Sequence, residues 1–340
     1  MQVIVLDDYQ DAVRKLACFA RFAEATPKHE IKIFNNSVKG VGQLSVRLRD
    51  AQVLVLIRER TPITRQLLDK LPKLKLIAQT GRAGGHIDIA ACTERGIAVC
   101  EGSGDPRPTA ELTWALIMAA MRRLPQYIGN LKHGAWQQSG LKASAMPANF
   151  GLGQLLAGKT LGIWGFGSIG RIVAQFGRAF AMNVLVWGSD GARALAVEQG
   201  YQAADSRAAL FGASDVLSLH LRLTPQTRGI VTLDDLLLMK PNALLVNTAR
   251  AELIVPDALV AALNRGHPGM AAVDVFESEP PLQGHPLLRL ENAICTPHIG
   301  FVELSNYERM FAQAFDNVTA FAQGKPMNVV NPQVLQQAGL

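Results

Sequence analysis

Short apolar runs rich in leucine and β-branched residues recur through the first hundred positions, at 3–6, 31–34, 53–57, 74–78 and 97–99. Between them the apolar residues take helical spacing, as over 11–25 and 87–95. Strand-sized runs alternating with helix-sized patterns predict parallel strands joined by crossover helices. An apolar-rich helix is expected next, over about 109–123, because Pro106 and Pro108 precede it and Thr109 and Glu111 stand near its start. Residues 130–158 are glycine-rich and aperiodic, which predicts a loop region. A second series of strands follows at 161–164, 184–187, 216–219, 243–247, 270–273 and 293–295, closed by an amphipathic helix over 303–323.

Gly165-Phe166-Gly167-Ser168-Ile169-Gly170 lies between the strand at 161–164 and a helical pattern that starts at Arg171. Glycines at this spacing are a weak signal alone, but a strand before and a helix after give them a dinucleotide-binding meaning. Gly165 permits the tight turn, Gly167 lets backbone approach a pyrophosphate, and Gly170 lets helix and strand pack closely. The helix N-terminus offers N–H groups and a positive dipole end to the phosphates.

At 340 residues the chain exceeds one comfortable core, so two domains are expected. The final helix follows the last strand of the second series and can cross back to the first. The expected division is therefore a discontinuous substrate-binding (catalytic) domain, 1–104 plus 297–340, and a dinucleotide-binding Rossmann domain, 105–296. The hydrophobic share of 49% and charged share of 18% are those of a globular protein. The net charge of +6 is spread thinly, which argues against a nucleic-acid surface. No apolar stretch is long enough to span a bilayer, and the N-terminus reads as a strand. The four cysteines lack C-x-x-C spacing, so reduced thiols, no metal site and a cytoplasmic location are expected.

Three charged residues follow successive strands of the second series: Arg250, Glu279 and His298. Each alone is an ordinary loop or surface residue. Together they point to one rim, because ligands of open α/β sheets bind outside the carboxyl ends of the strands. The glycine loop, Asn247-Thr248-Ala249-Arg250, Asp274-Val275-Phe276 with Glu279-Pro280, and Thr296-Pro297-His298-Ile299-Gly300 resemble segments of the D-isomer-specific 2-hydroxyacid dehydrogenases, in that family's order. Leu219-His220-Leu221, Met239-Lys240-Pro241 and Trp114-Ala115-Leu116 are similar too, so the likeness covers about residues 50 to 330.

The resemblance implies two doubly wound parallel-sheet α/β (Rossmann-like) domains with a cleft between them, and a homodimer. It implies hydride transfer between NAD(P) and a D-2-hydroxy acid or 2-keto acid. His298 would be the general acid/base, a task suited to histidine as a residue type. Glu279 would fix its tautomer, and Arg250 would bind the substrate carboxylate and polarise the carbonyl. Arg82, Ala83 and Gly84, in the Gln79–Gly85 loop, match where the family holds that carboxylate with backbone N–H groups; a structural turn reads equally well. Ser168 and Ile169 would lie beside the pyrophosphate, with Thr109, Thr248, Ala249, Asp274 and Gly300 along the cofactor.

Three features depart from the pattern. Gly188 stands where NAD-preferring members carry an acidic residue at the strand end. Asp190 can substitute for it, whereas Arg193 can bind a 2′-phosphate, so NAD is favoured slightly and NADP stays open. Ala251 replaces the glycine that usually follows Arg250, at about 1 kcal/mol if that residue needs positive φ. Arg82 and His86 make the first-domain loop bulkier than usual. A formate-oxidising relative would carry glutamine at 279, and the other alternative is a non-catalytic NAD(H)-sensing scaffold of the corepressor type. The particular acid stays open among 3-phosphoglycerate, glycerate and glyoxylate-type compounds.

Overall fold

The computed structural model describes residues 1–25, 29–141 and 146–338. The chain forms two compact units, one of Met1–Asp105 with Val302–Leu340 and one of Pro106–Phe301. The second crossing thus falls at Val302, and His298 belongs to the second unit. Of the aperiodic stretch, residues 142–145 lie outside those described.

The first unit is a five-stranded parallel sheet built from β1 (Gln2–Val5), β2 (Glu30–Ile33), β3 (Val53–Leu56), β4 (Leu76–Gln79) and β5 (Ala98–Cys100), in the order β2-β1-β3-β4-β5. Every residue of β3, β4 and β5 is buried, as the near-continuous apolar runs require of strands covered on both faces. The helix Leu304–Ala322 joins this unit from the far end of the chain. Its Phe315 ring stacks on Phe22 with centroids 4.5 Å apart. Its Glu308 carboxylate accepts the N–H groups of Ala17 and Cys18, at 2.5 and 3.0 Å. Burying one such phenyl ring contributes roughly 2 kcal/mol, enough to make this distant segment an integral part of the unit.

The second unit is a seven-stranded parallel sheet of β6 (Thr160–Trp164), β7 (Asn183–Trp187), β8 (Gln202–Ala203), β9 (Val216–Leu219), β10 (Leu244–Asn247), β11 (Met270–Val273) and β12 (Ala293–Cys295). Their order is β12-β11-β10-β9-β6-β7-β8, so the winding reverses between β6 and β9. That reversal opens a crevice at the carboxyl ends of the central strands, where this architecture takes its ligands. The two-residue β8 has no counterpart in the hydrophobic pattern, being too short for one.

The linking helix runs Arg107–Met121, starting two residues earlier than its pattern suggests because Pro108 fits its first turn. A second helix, Leu124–Lys132, follows at once and was not expected from periodicity; its interior holds no buried residue to mark a face. Between the two, Arg123 is 1% exposed in a left-handed turn, its Nε bonded to the Phe150 carbonyl and its guanidinium over the Phe150 ring. Among the described residues, no helix is long and apolar enough to cross a membrane.

Candidate active site

The dinucleotide loop leaves β6 and enters the helix Ser168–Ala179. Gly165 has φ +101, and a Cβ there would lie 2.7 Å from the His220 carbonyl oxygen. At Gly170 an added Cβ would meet the Gly165 carbonyl oxygen at 2.2 Å. Both positions admit only glycine, one for conformation and close approach, the other for packing. Gly167 differs: nothing lies within 4 Å of its missing Cβ. It is the N-cap of the helix and brings no side-chain acceptor to the first turn, so the N–H groups around Ser168, Ile169 and Gly170 are left for an anion. Open space over a glycine backbone, at uncapped N–H groups, fits a pyrophosphate.

Past β7, Gly188 leads to Ser189, whose hydroxyl caps the helix Asp190–Glu198 through the Ala192 N–H. Asp190 is exposed and ion-paired with Arg193, and the Arg193 guanidinium lies 4.6 Å from the centre of the Trp187 ring. The candidate acid and the candidate 2′-phosphate binder therefore hold each other.

The other residues of interest gather on loops after β10, β11 and β12. Asn247 ends β10, and its side chain braces the turn by accepting the Ala249 N–H at 3.0 Å and donating to the Arg250 carbonyl at 2.8 Å. The Arg250 Nη1 donates to the Ala249 carbonyl at 2.6 Å. Ala251 opens a 3-10 turn, Ala251–Leu253, and is not among the residues with positive φ, so the expected strain is absent. Thr248 is buried, with its hydroxyl 2.7 Å from that of buried Thr113.

Asp274, 1% exposed, follows β11 directly. One carboxylate oxygen accepts the Thr296 hydroxyl at 2.6 Å and the Ile299 N–H at 2.9 Å; the other accepts the Gly300 N–H at 2.8 Å. Burial raises its pKa while those three bonds work against the rise. The bonded residues lie on both sides of His298, which sits in a left-handed conformation at φ +52. Thr109, on the linking helix, adds a hydroxyl bond to the Gly300 carbonyl at 3.1 Å. An uncommon backbone conformation for a side-chain-bearing residue is thus held by a buried carboxylate and a threonine.

His298 Nδ1 lies 2.6 Å from Glu279 Oε2. Glu279 Oε1 accepts the Phe276 N–H at 3.1 Å, which fixes the carboxylate. Burial works to raise the Glu279 pKa, but the His298 bond and charge, the Phe276 N–H and the Arg250 charge together hold it below the ordinary range. With Nδ1 committed to Glu279, Nε2 is the ring nitrogen available to a reacting group. The ring edge also meets Phe301, centroids 5.7 Å apart.

The second unit therefore pairs Glu279 with His298, holds the turn that carries His298 through Asp274, and sets Arg250 within electrostatic reach of Glu279. Arg82, Ala83 and Gly84 belong to the first unit. There Arg82 is exposed, and the Ala83 N–H donates to the Glu101 carboxylate at 3.0 Å. Asn247, Thr113 and Glu101 drew no role from the sequence. For Asn247 the available signal was an asparagine at a strand end before a turn. Thr113 and Glu101 gave none, because their partners are 135 and 18 positions away.

A profile described as D-isomer specific 2-hydroxyacid dehydrogenase, NAD binding domain, matches residues 114–300. A glyoxylate reductase of Aeropyrum pernix is 39% identical over 295 residues, covering 85% of this chain and 86% of that protein. A D-3-phosphoglycerate dehydrogenase of Methanocaldococcus jannaschii is 40% identical over 259 residues, covering 76% of this chain and 47% of that protein. The chain thus spans about half the length of this second relative. A crystal structure of a phosphoglycerate oxidoreductase from Vibrio cholerae o395 superposes with a TM-score of 0.89 at 50% identity, covering 95% of this chain and 99% of the other. A structure described as a D-3-phosphoglycerate dehydrogenase oxidoreductase from Ralstonia solanacearum reaches 0.95 at 60% identity and covers 98% of each chain.

Proposed function

Since the chain belongs to the D-isomer-specific 2-hydroxyacid dehydrogenase family, whose members use NAD(H) on 2-hydroxy and 2-keto acids, we propose that His298 is the acid–base residue of its hydride transfer. The observation that carries this reading is the 2.6 Å contact between His298 Nδ1 and Glu279, on a turn that Asp274 holds. When bound, the nicotinamide cofactor supplies or accepts the hydride. His298 Nε2 gives a proton to the ketone oxygen in reduction and takes it from the hydroxyl in oxidation. Glu279 keeps the other ring nitrogen protonated and stabilises the charge that arises when the ring carries both protons. Arg250 binds the substrate carboxylate and polarises the carbonyl, its guanidinium steadied by the Ala249 carbonyl.

Gly165, Gly167, Ser168, Ile169 and Gly170 hold the pyrophosphate. Asp190 bonds the adenine ribose. Because Arg193 already pairs with it, discrimination against NADP is weak, and NAD leads by roughly tenfold or less. Thr109, Thr248, Ala249 and Gly300 line the cofactor as backbone and packing. Asp274 acts chiefly as a positioning residue for His298, since both its oxygens are spent on that turn. The Ala83 N–H is already taken by the Glu101 carboxylate, so within the Arg82-Ala83-Gly84 segment any hold on the substrate carboxylate falls to the exposed Arg82 guanidinium and the Gly84 backbone. A homodimer is proposed through the helix Leu124–Lys132, where Leu124, Ile128 and Leu131 recur at helical spacing and are exposed.

The test is the loss of reduced-nicotinamide absorbance with glyoxylate, hydroxypyruvate and 2-oxoglutarate, using NADH and NADPH. His298→Ala should lower kcat by roughly 10²–10⁴-fold and leave NADH affinity within about threefold. A variant that loses cofactor affinity as far as turnover would make His298 structural and overturn the mechanism.

A further inference from the structure

A cavity of about 180 Å³ opens behind the Arg250 turn, wholly within the seven-stranded unit and apart from the glycine loop. Its walls are apolar: Ala251 and Ile254 from the turn, Leu259 from the helix Ala258–Asn264, Val273 and Val275 from the end of β11, and Leu287. Among the described residues no lysine or arginine lines it, although the chain carries a net charge of +6. Its charged lining residues are the carboxylates Asp257 and Glu277, with His285 beside Glu277 at 3.3 Å. Asp257 stands at the N-cap of the helix Ala258–Asn264 but makes no capping bond with its side chain. Both carboxylates are in exposed positions, whereas the walls are largely buried.

An apolar hollow able to hold one benzene-sized group, edged by negative charge, is complementary to a small amine with an apolar body. We infer that this cavity binds hydrophobic primary ammonium compounds of about the size of benzylamine, and that its occupant steadies the Arg250 turn. The coupling is short. Ala251 is the residue after Arg250, and Asn247, also in the wall, holds the Ala249 N–H and the Arg250 carbonyl. Glu277 lies two positions before Glu279. Filling the hollow removes room for the turn to move, so substrate binds better with the cavity occupied, and by linkage the amine binds better with substrate analogue present. The effect on substrate rests on the role proposed above for Arg250; the binding of the amine does not.

The experiment titrates the full-length protein at pH 8 with benzylamine, benzyl alcohol and benzoate, followed by ligand-observed NMR and calorimetry. Benzylamine should bind with a Kd on the order of 1 mM or tighter, with benzoate at least tenfold weaker and benzyl alcohol between them. Asp257→Asn with Glu277→Gln should bring the three together, and Ile254→Trp should abolish all binding while the protein stays folded by circular dichroism. Benzylamine near saturation should lower the KM for the best 2-hydroxy acid about two- to fivefold, read in the oxidative direction because a free amine condenses with keto acids to imines, with kcat little changed. Equal affinity for amine and carboxylate, or binding that survives Ile254→Trp, overturns the site. Binding as expected with an unmoved KM overturns the coupling. A protein that binds benzylamine but turns over no keto acid refutes the proposed function and leaves the site standing.

Discussion

Asp274→Asn is the most informative single change, because it keeps shape and removes one acceptor. The native carboxylate takes three hydrogen bonds, from Thr296, Ile299 and Gly300, all at 2.6–2.9 Å. An amide offers one oxygen, so its NH₂ must face at least one of the N–H groups. The unsatisfied donor costs about 1–3 kcal/mol. Part of this is offset, since burial already makes the charge at Asp274 unfavourable, and the net loss of stability should be about 1–2 kcal/mol. Holding His298 in the left-handed region costs roughly 1–2 kcal/mol as well, so the weakened brace no longer covers the strain and the turn relaxes. Displacing an acid–base group by about 1 Å lowers turnover by roughly 10²-fold. The assay is steady-state kcat beside NADH affinity from fluorescence. Expected are a kcat reduced by about 10²-fold and an NADH Kd changed by less than about threefold. A Kd raised by an order of magnitude with kcat retained would refute the reasoning and make Asp274 a cofactor ligand.

Other outcomes follow from the same geometry. Gly167→Ala should leave the melting temperature within about 2 °C, because its Cβ meets open space, yet weaken NADH binding by tenfold or more; Gly170→Ala should destabilise by about 1–3 kcal/mol through its clash with the Gly165 carbonyl. Equal Tm values for the two would contradict the packing argument. Burial pushes His220 down to about 4. A histidine with a depressed folded pKa gives its full stability above the unfolded value near 6.5 and loses it as pH falls toward 4. Urea titrations should show a loss of about 1–2 kcal/mol between pH 7 and 5 from this residue, less in His220→Asn; parallel pH profiles would remove it as the source. Sedimentation should find the parent protein as a dimer and Ile128→Glu as a monomer, and a dimeric variant would move the interface elsewhere.

How much was legible in the sequence differs by element. Strands such as β3 and β10 were, because strands buried on both faces must be written as unbroken apolar runs. The glycine loop was legible because three steric demands act at fixed spacing on neighbouring residues. The helix Leu124–Lys132 was not, since it is short and holds Pro125 and Gly129, which read as breakers although the proline fits its first turn. At the site, the Arg250, Glu279 and His298 positions stood out as charges at strand ends. The second layer was harder: Asp274 reaches Thr296 and Gly300 across more than 20 positions, and nothing local encodes that. The alanine after Arg250 was expected to strain the turn if positive φ were needed, and the 3-10 conformation there removes the need.

The seven-stranded unit is one continuous stretch, whereas the five-stranded unit waits for residues after Val302. During synthesis the middle of the protein can therefore reach its final form while the opening hundred residues still lack the helix that carries Phe315 and Glu308. Until that helix leaves the ribosome, Phe22 and the backbone at Ala17 and Cys18 lack the cover it gives them, which leaves apolar surface of this early segment open to non-native contacts.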